Sequence, residues 1–320
     1  MIGTRGTLLS DTCASLDRYA DVVLVTSEEL LAGRADTAMG LPAGHVVVCP
    51  STTAGIPAAA RRCAAAYHPA GVLTFSDDVV ELTAALAADL GLPGQPRETV
   101  TRFRDKAAQR AALAAAGLPV PRYIEITRAR QAGTALAAVP VPAILKPTRG
   151  SGGTLAFVVS EPDQLGPLLE AGFRDVERVG GAVDRDTAFI FEELIVGARW
   201  HEVDGLAPYV SVESAAVDGR FVHLAVTDRF PLAPPVLETG MMLPSALGPD
   251  QQRSVLDAAS AALTALDFRH GLAHTELMLT ATGPVVIEVN ARAGGALTYL
   301  FPLASGLDLT TLAGRIAVGE

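Results

Sequence analysis

Through the first hundred residues, short β-branched apolar runs alternate with alanine-rich stretches. Residues 21–26, 45–49 and 71–75 read as strands and residues 77–90 as a helix, so the pattern predicts βαβ units and a parallel sheet. Gly91-Leu92-Pro93-Gly94 stops that helix, and the polar stretch 95–104 reads as a linker, which puts a domain boundary near residue 97. Residues 105–116 are helix formers throughout, ending at Gly117 with Pro119 behind it. A strand over 120–126 and a short helix over 128–138 come next. Strands 142–146 and 155–159 then flank residues 147–153, making a hairpin that carries a glycine-rich loop. After a helix near 163–171, residues 188–194 read as a buried strand and residues 200–206, 209–217 and 220–227 as an antiparallel meander. Pro231, Pro234 and Pro235 mark a loop, 249–266 is the longest amphipathic helix, and 271–279 with 284–289 form a final strand pair.

Composition narrows the class. A chain of 320 residues suggests two domains, or two lobes around one cleft. With 49% hydrophobic and 19% charged residues it must fold rather than stay disordered. The apolar stretch 135–145 is broken by Pro140 and Pro142, well short of the roughly 18 residues a bilayer span needs. No apolar run follows Met1 that would serve as a signal peptide, so a cytoplasmic location is expected, with no membrane partner. Cys13, Cys49 and Cys63 are odd in number and form no CxxC pair, which argues against a disulfide framework and a cysteine zinc site. The net charge of −10 repels phosphate backbones, so no nucleic-acid partner is expected. One bias stands out: of 25 basic residues only Lys106 and Lys146 are lysine, and Asn290 is the only asparagine. Survivors of such avoidance mark positions where guanidinium cannot replace a compact ammonium, or chance survival on the surface.

Three groups of residues carry candidate chemistry. In Thr148-Arg149-Gly150-Ser151-Gly152-Gly153-Thr154 the glycines let backbone N–H groups approach an anion, although a plain hairpin turn also wants glycine. Lys146, at the end of the preceding strand, tips the balance toward phosphate. Spacing and context fit neither a Walker loop nor a dinucleotide fingerprint. Glu288 and Asn290 share one strand face, and a hairpin partner can bring Glu276 opposite them. Two carboxylates and an amide oxygen suit Mg²⁺, with phosphate and water filling the other positions. Two exposed glutamates on a sheet edge are the alternative. Arg292, followed by Ala293-Gly294-Gly295, would point to the same region and could stabilise a carboxylate as it is phosphorylated. Phe191-Glu192-Glu193-Leu194-Ile195 before Gly197 fits a hinge whose backbone reads an adenine edge, although taken alone it is more often plain sheet.

Together these stretches resemble the ATP-grasp superfamily, and within it the carboxylate–amine ligase branch that joins amino acids. The likeness covers about residues 70–320: Phe75-Ser-Asp77, Asp105-Lys106 with Arg110, residues 144–147 with the glycine loop, residues 191–195, Glu238-Thr-Gly240, His274-Thr-Glu276 and residues 287–292. The resemblance implies a mixed α/β and α+β protein. An N-terminal Rossmann-like domain (1–97) precedes a two-lobed ATP-grasp fold, whose small lobe (98–193) carries the glycine-rich loop and whose large lobe (194–320) carries the metal site. By position it assigns ATP contacts to Lys106, Lys146, residues 149–153 (Arg149, Gly150, Ser151, Gly152, Gly153), Glu192, Glu193, Leu194 and Ile195. Mg²⁺, or Mn²⁺, falls to Glu276, Glu288 and Asn290, the acyl-phosphate oxyanion to Arg292, and further substrate or phosphate contacts to Arg229, His274, Gly294 and Gly295. Arg229 is equally well a surface arginine, and His274 equally well a structural histidine.

Four departures qualify the likeness. Arg199 stands where a ribose-binding glutamate is expected, leaving Glu202 or water to serve. Ala291 replaces a proline. Related ligases continue past the position of Glu320, which implies a more open site or closure by a partner subunit. A first strand is hard to find before Thr7, which implies a reduced N-terminal domain or a different start. The implied activity is ATP-dependent amide formation between a small carboxylate and an amine through an acyl phosphate, in a chain for which a homodimer is allowed. A carboxylase, an intramolecular cyclo-ligase or a catalytically silent ATP-binding module remain alternatives.

Overall fold

A computed structural model describes residues 1–3, 9–32, 46–176, 178–179, 183–184, 187–234 and 236–320. Thr7, His45 and Pro235 of the sequence reading therefore lie outside the described residues.

The N-terminal part holds α1 (Leu9–Asp17), β1 (Val23–Val25), α2 (Glu28–Ala32), β2 (Val46–Val48), α3 (Ile56–Tyr67), α4 (Val80–Leu90) and α5 (Arg97–Val100). β1 and β2 pair in parallel, with Val23 opposite Val46. The strand expected at 71–75 does not form, and only Thr74 bridges, to Ile2. The Thr74 hydroxyl accepts the Ser76 N–H at 3.0 Å and turns the chain before a ladder can propagate. Residues 1–3 occupy the lane beside β1, where Gly3 N donates to Val25 O and Val25 N to Met1 O, each at 2.9 Å. The stretch read as a linker is instead helical and packed, because Val100 and Phe103 are buried within its polar pattern.

Next come α6 (Lys106–Ala115), β3 (Tyr123–Ile126), α7 (Ala132–Ala138), β4 (Ala143–Pro147), β5 (Phe157–Val159), α8 (Leu165–Asp175) and β6 (Phe189–Glu193). Asp105 caps α6, its carboxylate accepting the Ala107 and Ala108 N–H groups at 3.0 Å. The strands form an antiparallel sheet in the order β3-β6-β4-β5, and Leu145, Leu165, Leu169, Phe189 and Phe191 fill the core beneath α7 and α8.

The last part holds β7 (Tyr209–Val217), β8 (Arg220–Arg229), β9 (Met241–Met242), α9 (Pro249–Ala265), β10 (Gly271–Thr280), β11 (Gly283–Asn290), α10 (Leu297–Ser305) and α11 (Leu309–Ala317). Its antiparallel sheet runs β11-β10-β7-β8-β9. The strand expected at 200–206 is absent. There, side chains rather than a ladder anchor the chain, with Trp200 Nε1 donating to Thr280 O at 3.0 Å and His201 Nε2 lying 3.0 Å from Asp228 Oδ1. Gly197 is required at the start of this loop, since a Cβ there would stand 2.4 Å from Pro208. One face of the sheet buries Val210, Val212, Ala273, Leu277, Val286 and Val289 in a core shared with α6 and α9. α10 and α11 pack with Leu272 and, from the N-terminal part, Phe75.

Candidate active site

Because side chains alternate along a strand, burying Ala273, Leu277 and Leu279 in the core turns His274, Glu276 and Met278 to the opposite side. That side forms the floor of a cleft of about 630 Å³, walled by β4, β6 and the glycine loop from the four-stranded sheet. Cross-strand register sets Glu276 directly opposite Glu288, and His274 opposite Asn290. A bulge follows, because Leu277 pairs with Val286 and Ile287 is skipped. The extra residue lets both Ile287 and Glu288 reach the cleft while Val286 and Val289 stay in the core.

The two lysines of the chain both line this cleft. Lys106 Nζ lies 3.0 Å from Glu288 Oε1 and donates to Gly150 O at 2.9 Å, tying the carboxylate pair to the glycine loop. Lys146 Nζ lies 2.6 Å from Glu192 Oε1, and Arg110 grips the same carboxylate through Nε (2.9 Å) and Nη2 (3.1 Å). Burial pushes Glu192 up, but Lys146 and Arg110 outweigh it and hold the carboxyl at about 2. Burial likewise opposes ionisation of Glu276, and the hydrogen bond from His274 wins, holding it at about 2. His274 is raised to about 9 against its burial, chiefly by Glu213; its Nδ1 faces Glu213, and its Nε2 lies 3.2 Å from Glu276 Oε1 and 3.1 Å from Arg229 Nη2.

A pH prediction follows from Glu192. Its folded-state pKa lies below the usual 4.5, so its stabilising contribution, on the order of a few kcal/mol, is complete above pH about 4.5 and lost as pH falls toward 2. Urea unfolding at pH 5 and at pH 3.5 should show wild-type stability falling with acid, with a shallower fall in Glu192→Gln. Equal slopes would contradict the depressed pKa.

Arg292 reaches the cleft with its guanidinium already held, Nη2 donating to Asp77 Oδ2 at 2.6 Å and Nη1 to Ala293 O at 2.9 Å. Arg229 is not a surface residue: it is 1% exposed, donates to Ser211 Oγ at 3.0 Å and pairs with Glu238, while its Nε has no partner among the described residues. The glycine loop touches the opposite lobe, where a Cβ on Gly153, whose φ is +68°, would stand 3.1 Å from Val236.

Of the residues singled out from sequence, the cleft gathers Lys106, Lys146, Gly150, Ser151, Gly152, Gly153, Glu192, Glu193, Leu194, Ile195, Arg229, His274, Glu276, Glu288, Arg292, Gly294 and Gly295. Three stand apart from its wall. Arg149 turns away to Glu81, which it grips at 3.0 and 3.1 Å, and lies 3.5 Å from both Asp105 and Asp184. An arginine surrounded by three acids is satisfied without phosphate. Glu202 is exposed on the loop that Arg199 braces by donating to its carbonyl at 3.2 Å, outside the residues that line the cleft. Asn290 is buried two register positions beyond Glu288. Sequence reasoning missed the wall formed by Tyr209, Leu232, Val236 and Leu237, and the acids Asp77, Glu213 and Glu238 as partners of its cations.

The carboxylate donors make a pair rather than a cage. Among the described residues no group of three His, Cys, Asp or Glu side chains could hold a metal ion. Glu276 and Glu288, two hard oxygen donors on facing positions of a cleft that also presents lysines and a glycine loop, fit a divalent cation whose other ligands are phosphate oxygens and water. No helix of the described residues is long and apolar enough to cross a membrane.

Comparison with known proteins agrees with this geometry. An ATP-grasp domain family matches residues 139–299. Carnosine synthase 1 of Gallus gallus is 31% identical over 268 residues, 79% of this chain and 27% of its own length. The alanine–anticapsin ligase of Bacillus subtilis is 30% identical over 215 residues, 64% of this chain and 44% of its own length. The chain thus spans less than half the length of either relative. Among solved structures, an L-amino acid ligase from Bacillus licheniformis superposes with a TM-score of 0.77 at 22% identity, covering 99% of this chain and 73% of that one, a likeness of fold.

Proposed function

The chain belongs to the ATP-grasp family, and on that footing we propose that it is an ATP- and Mg²⁺-dependent carboxylate–amine ligase, joining an amino acid or another small carboxylate to an amine with release of ADP and phosphate. The observation that carries this reading is the convergence on one cleft of both lysines, the facing Glu276–Glu288 pair and the Arg292 guanidinium. A nucleotide binder alone has no use for a pre-held guanidinium beside a metal-binding pair.

In this reading the γ-phosphoryl group passes to a carboxylate oxygen of the first substrate, and the amine then displaces phosphate from the acyl carbon. Mg²⁺, when bound, supplies charge neutralisation at the phosphate oxygens. Glu276 and Glu288 would hold it, and Mn²⁺ suits the same donors. Lys106 and Lys146 sit where ammonium groups would meet phosphates, while the 150–153 loop would cover them with backbone N–H groups. Ile144, Val158, Met278 and Ile287 give an apolar slot beside the 193–195 backbone, suited to an adenine. Arg292 would stabilise the oxyanion formed as the amine attacks. Most of the rate enhancement is then positioning and electrostatics. On the far side of the cleft, Leu232, Val236, Leu237 and Met241 offer an apolar wall for the substrate side chain.

The test measures ADP and phosphate release from MgATP with single amino acids and with pairs. Alanine is among the first tried, because one relative is an alanine ligase. Release should require two substrates, yield a condensed product by mass, and fall at least about 100-fold in Glu288→Ala, as expected when a metal ligand is removed. Nucleotide binding without turnover for any pair would overturn the ligase reading in favour of another acceptor or a silent module.

A further inference from the structure

The polar face of the five-stranded sheet holds one buried acid that the mechanism above leaves unused. Glu213 lies on β7 directly across from His274 on β10 and is 2% exposed. Its two oxygens serve different elements: Oε1 takes the hydrogen bond from His274 Nδ1, and Oε2 accepts the Gly294 N–H at 3.2 Å. From His274 the chain of contacts continues to Glu276 Oε1 at 3.2 Å. From Gly294 it continues along the backbone to Arg292, two residues back. The loop rides so closely on the ring that a Cβ at Gly294 would stand 2.9 Å from His274 Nδ1. The strand pairing also shifts register after Glu213 on one side and after Glu276 on the other, so bulges lie beside both acids.

A carboxylate buried this deeply on a sheet face is costly unless it is paired, and packing alone would be better served by an apolar residue. What it provides is a fixed distance. We propose that Glu213 is a positioning residue that sets the metal-side carboxylate Glu276, through His274, against the oxyanion-side guanidinium of Arg292, through the Gly294 amide. The two charges that must meet one reacting group from opposite signs are thus referenced to a single side chain. This rests on the ligase reading only for its kinetic consequences; the effect on metal binding stands apart from it.

Glu213→Asp keeps the charge but is one methylene too short to span both partners, and Glu213→Gln keeps the length but removes the charge. Outer-shell partners of this kind typically affect metal affinity or activity by about 10- to 100-fold. Mn²⁺ binding to the ADP complex, followed by electron paramagnetic resonance, should weaken about tenfold or more in both variants. In steady-state assays kcat should fall about 10- to 100-fold with the KM for ATP within about threefold. Gly294→Ala, whose Cβ would press on the His274 ring, should lower kcat and weaken Mn²⁺ together. Wild-type Mn²⁺ affinity and kcat in folded Glu213 variants would overturn the proposal. So would loss of the fold in both, which would make Glu213 a structural residue. If the wild type shows no ligation but the Glu213 variants lose Mn²⁺ affinity, the positioning role stands and the ligase reading alone fails.

Discussion

Arg292→Ala is expected to lower kcat by about 10²- to 10³-fold and to leave MgADP affinity within about twofold. The asymmetry is the point of the prediction. An interaction realised only as negative charge grows on the substrate is absent from the ground-state nucleotide complex, so its loss appears in kcat rather than in binding. The geometry favours such a role because the guanidinium is held before any substrate arrives, by Asp77 at 2.6 Å and Ala293 O at 2.9 Å. A preorganised cation spends nothing on reorientation during reaction. Arg292→Lys should recover little, since a single ammonium cannot keep the Asp77 contact and face the substrate together. Asp77→Asn separates orientation from charge: the arginine stays, one neutral hydrogen bond replaces the ion pair, and kcat should fall less than in Arg292→Ala. Single-turnover rates of product formation are the measurement, with thermal unfolding to exclude a folding defect. Near-normal turnover in Arg292→Ala would remove the residue from the chemistry.

The sequence made one half of this pair legible and hid the other. Arg292 follows the Glu288–Asn290 strand end in an ordered motif, so its address is local; Asp77 belongs to the Phe75-Ser-Asp77 stretch of the resemblance, but it lies 215 residues away and nothing there announces the contact with Arg292. The same division runs through the site. Lys106 and Lys146 were visible because the chain avoids lysine elsewhere, and both line the cleft. The facing of Glu276 and Glu288 follows from two strands joined by a short turn, and the register has it so. The bulge at Ile287, which breaks the period of two and turns adjacent residues into one cleft, leaves no mark in the apolar pattern. Arg149 shows the converse failure. A basic residue in a glycine loop invites a phosphate, but Glu81, Asp105 and Asp184 come from three other segments and claim it first. The misread strands share a cause, since residues 71–75 and 200–206 have strand-like composition but their backbone or anchoring groups are satisfied by side chains. Local propensity is then overruled by hydrogen bonds that only the folded chain can make.

Arg110→Met is expected to cost about 3–5 kcal/mol of unfolding free energy. Arg110 is fully buried on α6, among alanine neighbours. It joins three elements, since Nε and Nη2 grip Glu192 on β6 while Nη2 also donates at 2.7 Å to the carbonyl of Ile287, the bulge residue of β11. Methionine fills much of the volume but leaves the bulge carbonyl without that donor and Glu192 with Lys146 alone. A half-paired buried carboxylate takes up a proton more readily, so the folded-state pKa of Glu192 moves back toward 4.5 and the acid-dependent loss of stability between pH 4.5 and 2 becomes shallower. Urea unfolding at pH 7 and pH 3.5 therefore gives two readings of one interaction: a large loss at pH 7 and a smaller one in acid. Arg110→Met with Glu192→Leu tests where the cost resides. Replacing both partners should restore most of the stability if the penalty is the orphaned carboxylate. Whatever is not restored belongs to the Ile287 carbonyl, still without its donor, and to Lys146, whose ammonium would then face the cleft without Glu192; added MgATP should offset only the Lys146 part by giving the ammonium a phosphate partner. A loss below about 1 kcal/mol in the single variant at pH 7 would show that the three-way contact does not hold the two sheets together.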